Sequence, residues 1–253
     1  RSWMVAAASL IVLIGIGLYL FLSVTKYADF QVVDKDIIIK QNPAGQKSKV
    51  FLPDGSIVWL NSETMLSFEK AFNDSVRSVN LHGEAYFEVI KDSVRPFVVH
   101  TGYLSTKALG TSFNIEAYDL NEVTVSLTSG AVFVESRTEV GNSRTLTLQP
   151  GEGAHFIASD ERGLRKFAID METVNEWKNG VFRLHDATLE KTIISLERWY
   201  GVNIVLTNSP TATWKANGVF DNEYLDNVLN SLSFAQGFVY EINDKNVVIT
   251  FKE

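Results

Sequence analysis

The stretch "SVNLHGEAYFEVI" (residues 78–90) indicates the fold class, because one short strand pattern, "SVNLHG", runs directly into another, "EAYFEVI". Similar patterns precede and follow it, from "KVFL" at residues 49–52 to "AHFIAS" at residues 154–159. Strands of about five to seven residues at this spacing predict an all-β unit, built as a sandwich, a barrel or a solenoid. No convincing amphipathic helix occurs between residues 48 and 170, and the alternation is sufficient to bury one face throughout.

Turn signals separate these strands. Pro53-Asp54-Gly55-Ser56 joins "KVFL" to "SIVWL", because proline and glycine pre-set the backbone dihedrals of a turn. The tripeptide "TSG" (residues 128–130), between "EVTVSL" and "AVFVES", predicts a hairpin.

The pattern changes near residue 177, where helical periods appear. "HDATLEKTIISLERWYG" (residues 185–201) predicts a helix with one apolar face, with Asp186 as its N-cap and Gly201 as its C-cap. Asn179-Gly180-Val181-Phe182 then reappears at residues 217–220, followed by a second helical face and the strand "FVYEI". We therefore predict two β-α-β units in tandem over residues 177–253, with "VVITFKE" as an edge strand.

An apolar run, "WMVAAASLIVLIGIGLYLFLSV" (residues 3–24), contains no charged residue. Roughly 20 apolar residues span the hydrocarbon core of a bilayer, whereas the apolar region of a cleaved signal peptide, the main alternative, has only about 7–15. We predict a transmembrane anchor at residues 1–26 and a juxtamembrane linker at residues 27–47. Because the chain begins at Arg1 rather than at methionine, we expect a further segment before the anchor.

Composition limits the chemistry of the chain. With 253 residues, a formal net charge of −7 and no cysteine, it is poorly suited to nucleic acid, whose backbone requires Lys and Arg. The lack of cysteine excludes disulfides, thiol nucleophiles and Cys-ligated metals. Phosphate-loop, zinc-protease and nucleophile-elbow motifs are missing. The histidines stand singly and favour structural roles, so we predict no cofactor and no metal site; they are His82, His100, His155 and His185.

Several blocks together resemble the periplasmic domain of FecR-type anti-sigma factors, in order and spacing, over about residues 48–158. They are "VFLPDGSIVWLNSETMLSF", "VNLHGEAYFEV", "PFVVHTG", "LGTSFNIEAY", "VTVSLTSGAVFV" and "LQPGEGAHF". The later segment "WKNGVFRLHDATLEKTIISLERWYGVNIVL" resembles the C-terminal domain of Bacteroidetes-type members, which is similar to the secretin/TonB short N-terminal (STN) fold.

The resemblance implies a mainly β protein. It implies an all-β, solenoid- or sandwich-like FecR domain over residues 48–170 and a small α/β, STN-like domain over residues 177–253. It also implies a single-pass inner-membrane protein whose residues after about 25 are periplasmic. Such a protein is not an enzyme but relays a signal from the signalling domain of a TonB-dependent outer-membrane receptor. The signal reaches an extracytoplasmic-function (ECF) sigma factor through a cytoplasmic domain that this sequence lacks, and an intramembrane protease cuts the chain.

The dipeptide Gly110-Thr111, in "KALGTSFNIEAY" (residues 107–118), has two interpretations. In the first, glycine marks a bulge and threonine favours the strand. In the second, suggested by the resemblance, the Thr111 hydroxyl attacks the Gly110 carbonyl and the bond is cut without a protease. We expect no other catalytic residues.

Two other functions stay open at this stage. One is a membrane-anchored carbohydrate-binding or scaffold module of the cell envelope, with exposed tryptophans that stack on sugars. The candidates for stacking are Trp59, Trp177, Trp199 and Trp214, although core packing is the more ordinary role. The other is a hydrolase, because a pair of catalytic carboxylates shows only in three dimensions.

Overall fold

The structure is a computed structural model that describes residues 16, 36–73, 75–137, 143–160, 163–210 and 213–252. The chain divides into two units, Arg1–Lys35 and Asp36–Glu253, and of the first only Ile16 is described. Among the described residues, no helix combines the length and the apolar character that a membrane crossing requires. The predicted anchor at residues 1–26 lies outside them, apart from Ile16.

The N-terminal part of the second unit is built from strands, as the alternating pattern predicts. In chain order these are β1 (Ile37–Gln41), β2 (Ser48–Phe51), β3 (Ile57–Leu60), β4 (Met65–Glu69), β5 (Arg77–Glu88), β6 (Phe97–Thr101), β7 (Leu104–Ala108), β8 (Ser112–Asp119), β9 (Glu122–Ser129), β10 (Val132–Arg137), β11 (Ser143–Leu148), β12 (Glu152–Ile157) and β13 (Leu164–Ala168).

Strand β5 belongs to two sheets. Its first half pairs with β4 and β6 in sheet A, which has the order β1-β4-β5-β6-β7-β10-β11. Its second half pairs with β3 and β8 in sheet B, which has the order β2-β3-β5-β8-β9-β12-β13. The strand changes sheet at Gly83, whose φ of 103° favours glycine. A Cβ at this position would lie 2.5 Å from Thr64 Oγ1, so the corner has no room for a side chain.

The two sheets enclose one apolar core, so the N-terminal part is a sandwich. Val79 and Leu104 of sheet A and Phe113 and Leu127 of sheet B are buried in the same cluster as Phe87 of β5. The rings of Phe87 and Phe113 are stacked with their centroids 5.0 Å apart. Each large apolar side chain buried in this way contributes about 1.5–3 kcal/mol to the free energy of folding.

Two sequence-based assignments in this part differ from the structure. Residues 37–41, within the predicted linker, form β1 and pair with β4, so the sandwich begins before residue 48. The hairpin predicted at "TSG" is wrong, because β9 pairs with β8 and β12 whereas β10 pairs with β7 and β11. At Gly130, with a φ of 82°, the chain instead crosses from sheet B to sheet A.

The C-terminal part is an α/β module in which the order strand–helix–strand occurs twice, as predicted. After a 3-10 helix (Glu176–Asn179) come β14 (Val181–Ala187), α1 (Leu189–Tyr200), β15 (Asn203–Leu206), β16 (Ala216–Asp221), α2 (Leu225–Gln236), β17 (Phe238–Asn243) and β18 (Asn246–Phe251). Strands β14 and β16 form a two-stranded sheet that places the two copies of the sequence repeat side by side, with Phe182 opposite Phe220. Leu196 of α1 and Val228 and Leu229 of α2 are buried in the module's own core.

Two local predictions for this module are wrong. Helix α1 is capped by Thr188, whose Oγ1 accepts a hydrogen bond from Lys191 N–H. Asp186 instead lies in β14, where its N–H donates to Asn217 Oδ1. Strand β18 is not an edge strand, because it lies between β15 and β17 in the three-stranded sheet. The apolar character of "VVITF" reflects this central position.

A buried ion pair fixes the start of β5. Arg77 Nη1 donates to Asp54 Oδ2 at 2.7 Å, and the side chains of Arg77 and Asp54 are 0% and 5% exposed. Arg77 also donates to the carbonyl groups of Ile90 and Arg95. The β2–β3 turn and the segment after β5 are thereby held against the same guanidinium.

We expect Asp54→Asn to lower the free energy of unfolding by about 3–5 kcal/mol, because Arg77 would keep a buried charge without a counter-charge. The control is Asp36→Asn, which removes the exposed pair with Lys70 and should cost less than ~1 kcal/mol. Chemical denaturation followed by circular dichroism measures both. Equal losses in the two variants would contradict the role assigned to Asp54.

Candidate functional site

The C-terminal module rests on the outer face of sheet B. Trp177, in the 3-10 helix, is buried there and donates from Nε1 to Asn114 Oδ1 on β8 at 3.2 Å. Next to it, Lys178 Nζ lies 3.2 Å from Glu88 Oε1 and 4.0 Å from the centroid of the Tyr86 ring. Trp177 and Lys178 therefore attach the start of the module to β5 and β8.

A second group of contacts involves helix α1. Arg198 Nε lies 3.1 Å from Glu63 Oε2, and the guanidinium stacks on the Tyr118 ring at 3.4 Å from its centroid. The backbone joins as well, because Gly45 N–H donates to the Arg198 carbonyl at 2.9 Å. The last turn of α1 is thus attached to the sandwich by charge, stacking and a main-chain hydrogen bond.

Lys47, just before β2, links both groups of contacts. Its Nζ donates to the Trp177 carbonyl at 2.9 Å and lies 3.1 Å from the centroid of the Trp199 ring. Partial burial lowers the pKa of Lys47 to about 8, although the nearby Glu84 carboxylate favours the charged form.

Between these contacts the two parts do not close tightly. Two cavities of about 280 and 300 Å³ lie between the outer face of sheet B and the module. We call them together the interdomain cleft. Their shared wall consists of Glu116, Tyr118, Ser195 and Arg198. The cleft is therefore lined by ionisable side chains from both parts of the protein.

Glu84 and Glu116 form the acidic wall of the cleft. They are direct cross-strand neighbours on β5 and β8. Two like charges in this arrangement destabilise a sheet. The Glu84 carboxylate accepts hydrogen bonds from Asn61 Nδ2 at 2.7 Å and from Asn114 Nδ2 at 2.9 Å. Burial, followed by the charge of Glu116, nevertheless raises the pKa of Glu84 to about 7.

The Gly110-Thr111 bond lies just before β8 and is tightly packed. Gly110 has a φ of 145°, and a Cβ there would lie 2.7 Å from Lys91 Cα. The Thr111 side chain packs against Gly130, and its carbonyl accepts a hydrogen bond from Val89 N–H. Thr111 is 4% exposed, and its Oγ1 has no hydrogen-bond partner among the described residues. Neither residue lines either cavity of the interdomain cleft.

The tryptophans considered for sugar stacking are all engaged by other side chains. Trp177 is buried, and Trp199 lies beneath Lys47. The Trp59 ring is covered by Lys49 and Lys178 at 4.6 and 5.5 Å. The remaining ring, that of Trp214, stacks on Phe238 with a centroid distance of 6.0 Å.

The histidines lie apart on the sandwich and the module. His100 and His155 each pair with a neighbouring hydroxyl, Ser105 and Thr124 respectively. Over the described ranges, no group of three or more His, Asp or Glu side chains has a geometry that would hold a metal ion.

Comparison with known families assigns both parts of the chain. The family model "FecR protein" matches residues 41–133, and "FecR, C-terminal" matches residues 181–249. The chain belongs to the FecR family of anti-sigma factors. Its role is accordingly the regulation of a sigma factor, as the sequence blocks indicate.

Solved structures agree with this assignment. Two crystal structures of a "putative anti-sigma factor" from Parabacteroides distasonis ATCC 8503 are 29% identical to this FecR-type chain, with TM-scores of 0.74. The matches cover 86% and 85% of the present chain and 100% of those chains. Among curated proteins there is no match.

Gly110→Ala should unfold the sandwich more readily, because its Cβ would meet the Lys91 backbone at 2.7 Å. We expect a loss of more than ~2 kcal/mol, since overpacking adds to the cost of an unfavourable φ. Gly151→Ala is the matched control, because Gly151 has a φ of 88° and no atom within 4 Å of the added Cβ. Chemical denaturation should show a clearly smaller loss for Gly151→Ala, and equal losses would contradict the close contact with Lys91.

Proposed function

We propose that this FecR-type chain is the periplasmic sensor part of a membrane-spanning anti-sigma factor, which relays a signal from a TonB-dependent outer-membrane receptor to an ECF sigma factor. The observation that carries the proposal is the match of both FecR models within one compact unit, Asp36–Glu253. The two-sheet arrangement of the C-terminal module, with two helices, supports its comparison with the STN fold.

The location follows from the same proposal. Residues 3–24 anchor the chain in the inner membrane by a single pass, and the residues after about 25 are periplasmic. A cytoplasmic domain before Arg1 holds the sigma factor. The stretch from Thr25 to Gln46 is the proposed access zone for proteases, before an intramembrane protease completes the cut, although Ile37–Gln41 within it form β1.

The edge of β17 is the surface that we assign to the receptor. In β15, the other outer strand of its sheet, Ile204 N–H is already bonded to Glu197 Oε1 at 2.7 Å. Next to the β17–β18 ladder, Lys252 N–H donates to the Gly237 carbonyl. In an antiparallel pair, alternate residues point their main-chain groups toward the partner strand. The N–H groups of Tyr240 and Ile242 therefore point outward, away from β18. A receptor strand can add to such an edge through main-chain hydrogen bonds.

Ile242→Pro tests this surface, because it removes one outward N–H and leaves the bonds to β18 in place. We expect the full 253-residue chain in detergent to bind the signalling domain of a TonB-dependent receptor encoded nearby. The proline variant should bind it at least ~10-fold more weakly, about 1.4 kcal/mol, as measured by isothermal titration calorimetry.

Ile242→Ala is the control for this titration, since it removes the exposed side chain but keeps the N–H. It should bind more tightly than the proline variant. Equal binding by the proline variant and the unmodified chain would remove the β17 edge from the proposal. If the chain binds the signalling domain of none of the receptors encoded nearby, the proposed relay is contradicted.

We also propose that the Gly110-Thr111 bond can cut itself, because the buried Thr111 hydroxyl, which has no hydrogen-bond partner among the described residues, directly follows the Gly110 carbonyl. Oγ1 would attack the Gly110 carbonyl carbon, the C–N bond would break, and the hydroxyl proton would pass to the freed nitrogen. Water would then hydrolyse the resulting ester. The missing Cβ of Gly110 and its unusual φ favour the attack.

Thr111→Val separates the hydroxyl from the packing, because valine keeps the methyl group that contacts Gly130. We expect two fragments that stay associated for the unmodified chain and for Thr111→Ser. A single full-length band is expected for Thr111→Val, on a denaturing gel after long incubation. If the unmodified chain also remains a single band, Gly110 and Thr111 have only a structural role.

A further inference from the structure

The environment of Glu84 depends on the docking of the C-terminal module. Glu84 lies on the outer face of sheet B, next to the cavity of about 280 Å³. Trp177 and Arg198, which belong to the module, line the same cavity. If the module moved away, the carboxylate would face water instead of the module.

A chain of hydrogen bonds connects Glu84 directly to the docked module. Asn114 donates from Nδ2 to Glu84 Oε1 at 2.9 Å, and its Oδ1 accepts from Trp177 Nε1 at 3.2 Å. Asn61, whose Nδ2 donates to the other Glu84 oxygen, is fixed by Ser62 N–H. The orientation of the carboxylate is therefore coupled to the residue that anchors the module on sheet B.

The charged groups around Glu84 are of both signs. Glu116 on β8 is directly opposite, and its carboxylate is attracted by the charges of Arg198, Lys191 and His155 and repelled by that of Glu122. Arg198 of the module lies near Glu84, but its guanidinium is paired with Glu63 of the sandwich. Glu176 and Arg183 are bonded to each other at 2.7 and 2.8 Å. The other titratable groups that face the site are Tyr118, Lys47 and Lys191.

We propose that the contact between the sandwich and the module is a proton-controlled latch, closed most firmly when Glu84 is protonated and weakened when Glu84 and Glu116 are both ionised. The latch is a property of this chain alone and does not rest on receptor binding. It gives the two parts a relative motion that responds to the pH of their compartment.

The direction of the effect follows from proton linkage. Burial, in a cavity that Trp177 and Arg198 of the module help to line, is the largest cause that raises the pKa of Glu84 from its ordinary value of 4.5 to about 7, and the charge of Glu116 is the next. Undocking would hydrate the carboxylate and remove part of this burial, so the docked state binds this proton more tightly than the undocked state, although the charge of Arg198 acts in the opposite direction. The docked state consequently loses stability as the pH rises from about 4.5 to about 7. Lys47, with a pKa lowered to about 8 by burial, acts in the opposite direction at higher pH.

Hydrogen exchange at Gly45 measures the latch, because Gly45 N–H is bonded across the interface to the Arg198 carbonyl. The experiment uses the full 253-residue chain in detergent at pH 5.5 and 7.5. We expect the protection factor of Gly45, corrected for the intrinsic exchange rate, to fall by ~10-fold or more between these values. The amide of Arg77, bonded to the Pro96 carbonyl inside the sandwich, is the internal control and should change little.

Three variants identify the group that titrates. Glu84→Gln should abolish the fall, and Glu116→Gln should move its midpoint to lower pH, because the repelling charge is removed. Glu88→Gln is the matched control on the same face of β5, and it should retain the fall although its contact with Lys178 is lost. Far-ultraviolet circular dichroism confirms that each variant is folded.

Two results would overturn the latch. One is an equal protection factor of Gly45 at both pH values in the unmodified chain. The other is a fall of the same size and midpoint in both Glu84→Gln and Glu116→Gln, which would place the titrating group elsewhere. If Glu84→Gln does not fold, the pH midpoint of the fall in Gly45 protection in Glu116→Gln is the deciding measurement. A midpoint equal to that of the unmodified chain would show that the Glu84–Glu116 pair does not control the latch.

Discussion

The corner of β5 at Gly83 is the constraint on which the rest of the structure depends. Thr64 Oγ1 occupies the space of the missing Gly83 Cβ, accepts a hydrogen bond from Glu84 N–H and donates one to the Glu84 carbonyl. One side chain thus satisfies both main-chain groups at the point where the strand passes from sheet A to sheet B. The same corner turns the Glu84 carboxylate to the outer face, so the geometry that closes the sandwich also creates the acidic wall of the cleft.

The contact between the sandwich and the module has a different character from either core. Each core buries many aliphatic and aromatic side chains, whereas the interface depends on a few charged and aromatic contacts around two cavities. Interfaces of this polar kind permit relative motion of domains. Motion of the same kind within either core would disrupt the packing of that core.

Glycine is used at Gly110 for a purpose that its local sequence does not reveal. The Lys91 backbone approaches so closely that no Cβ fits, and Gly130 accommodates Thr111 from the other side. Close packing alone would explain both glycines. The Thr111 hydroxyl, like those of Ser62, Thr101 and Thr106, is buried without a hydrogen-bond partner among the described residues, but of these four only Thr111 follows a glycine with an unusual φ.

The sequence by itself determined the mainly β character, the tandem strand–helix–strand order of the module and the family, because alternation, helical period and block order are local properties. It also located the C-cap of α1 at Gly201, where only a few neighbouring residues matter. Only the tertiary structure decided that "TSG" crosses between sheets, that β18 is central and that Glu84 faces Glu116. These features depend on pairing between strands far apart in the chain, and a strand's own pattern specifies which face is buried but not which strand lies beside it.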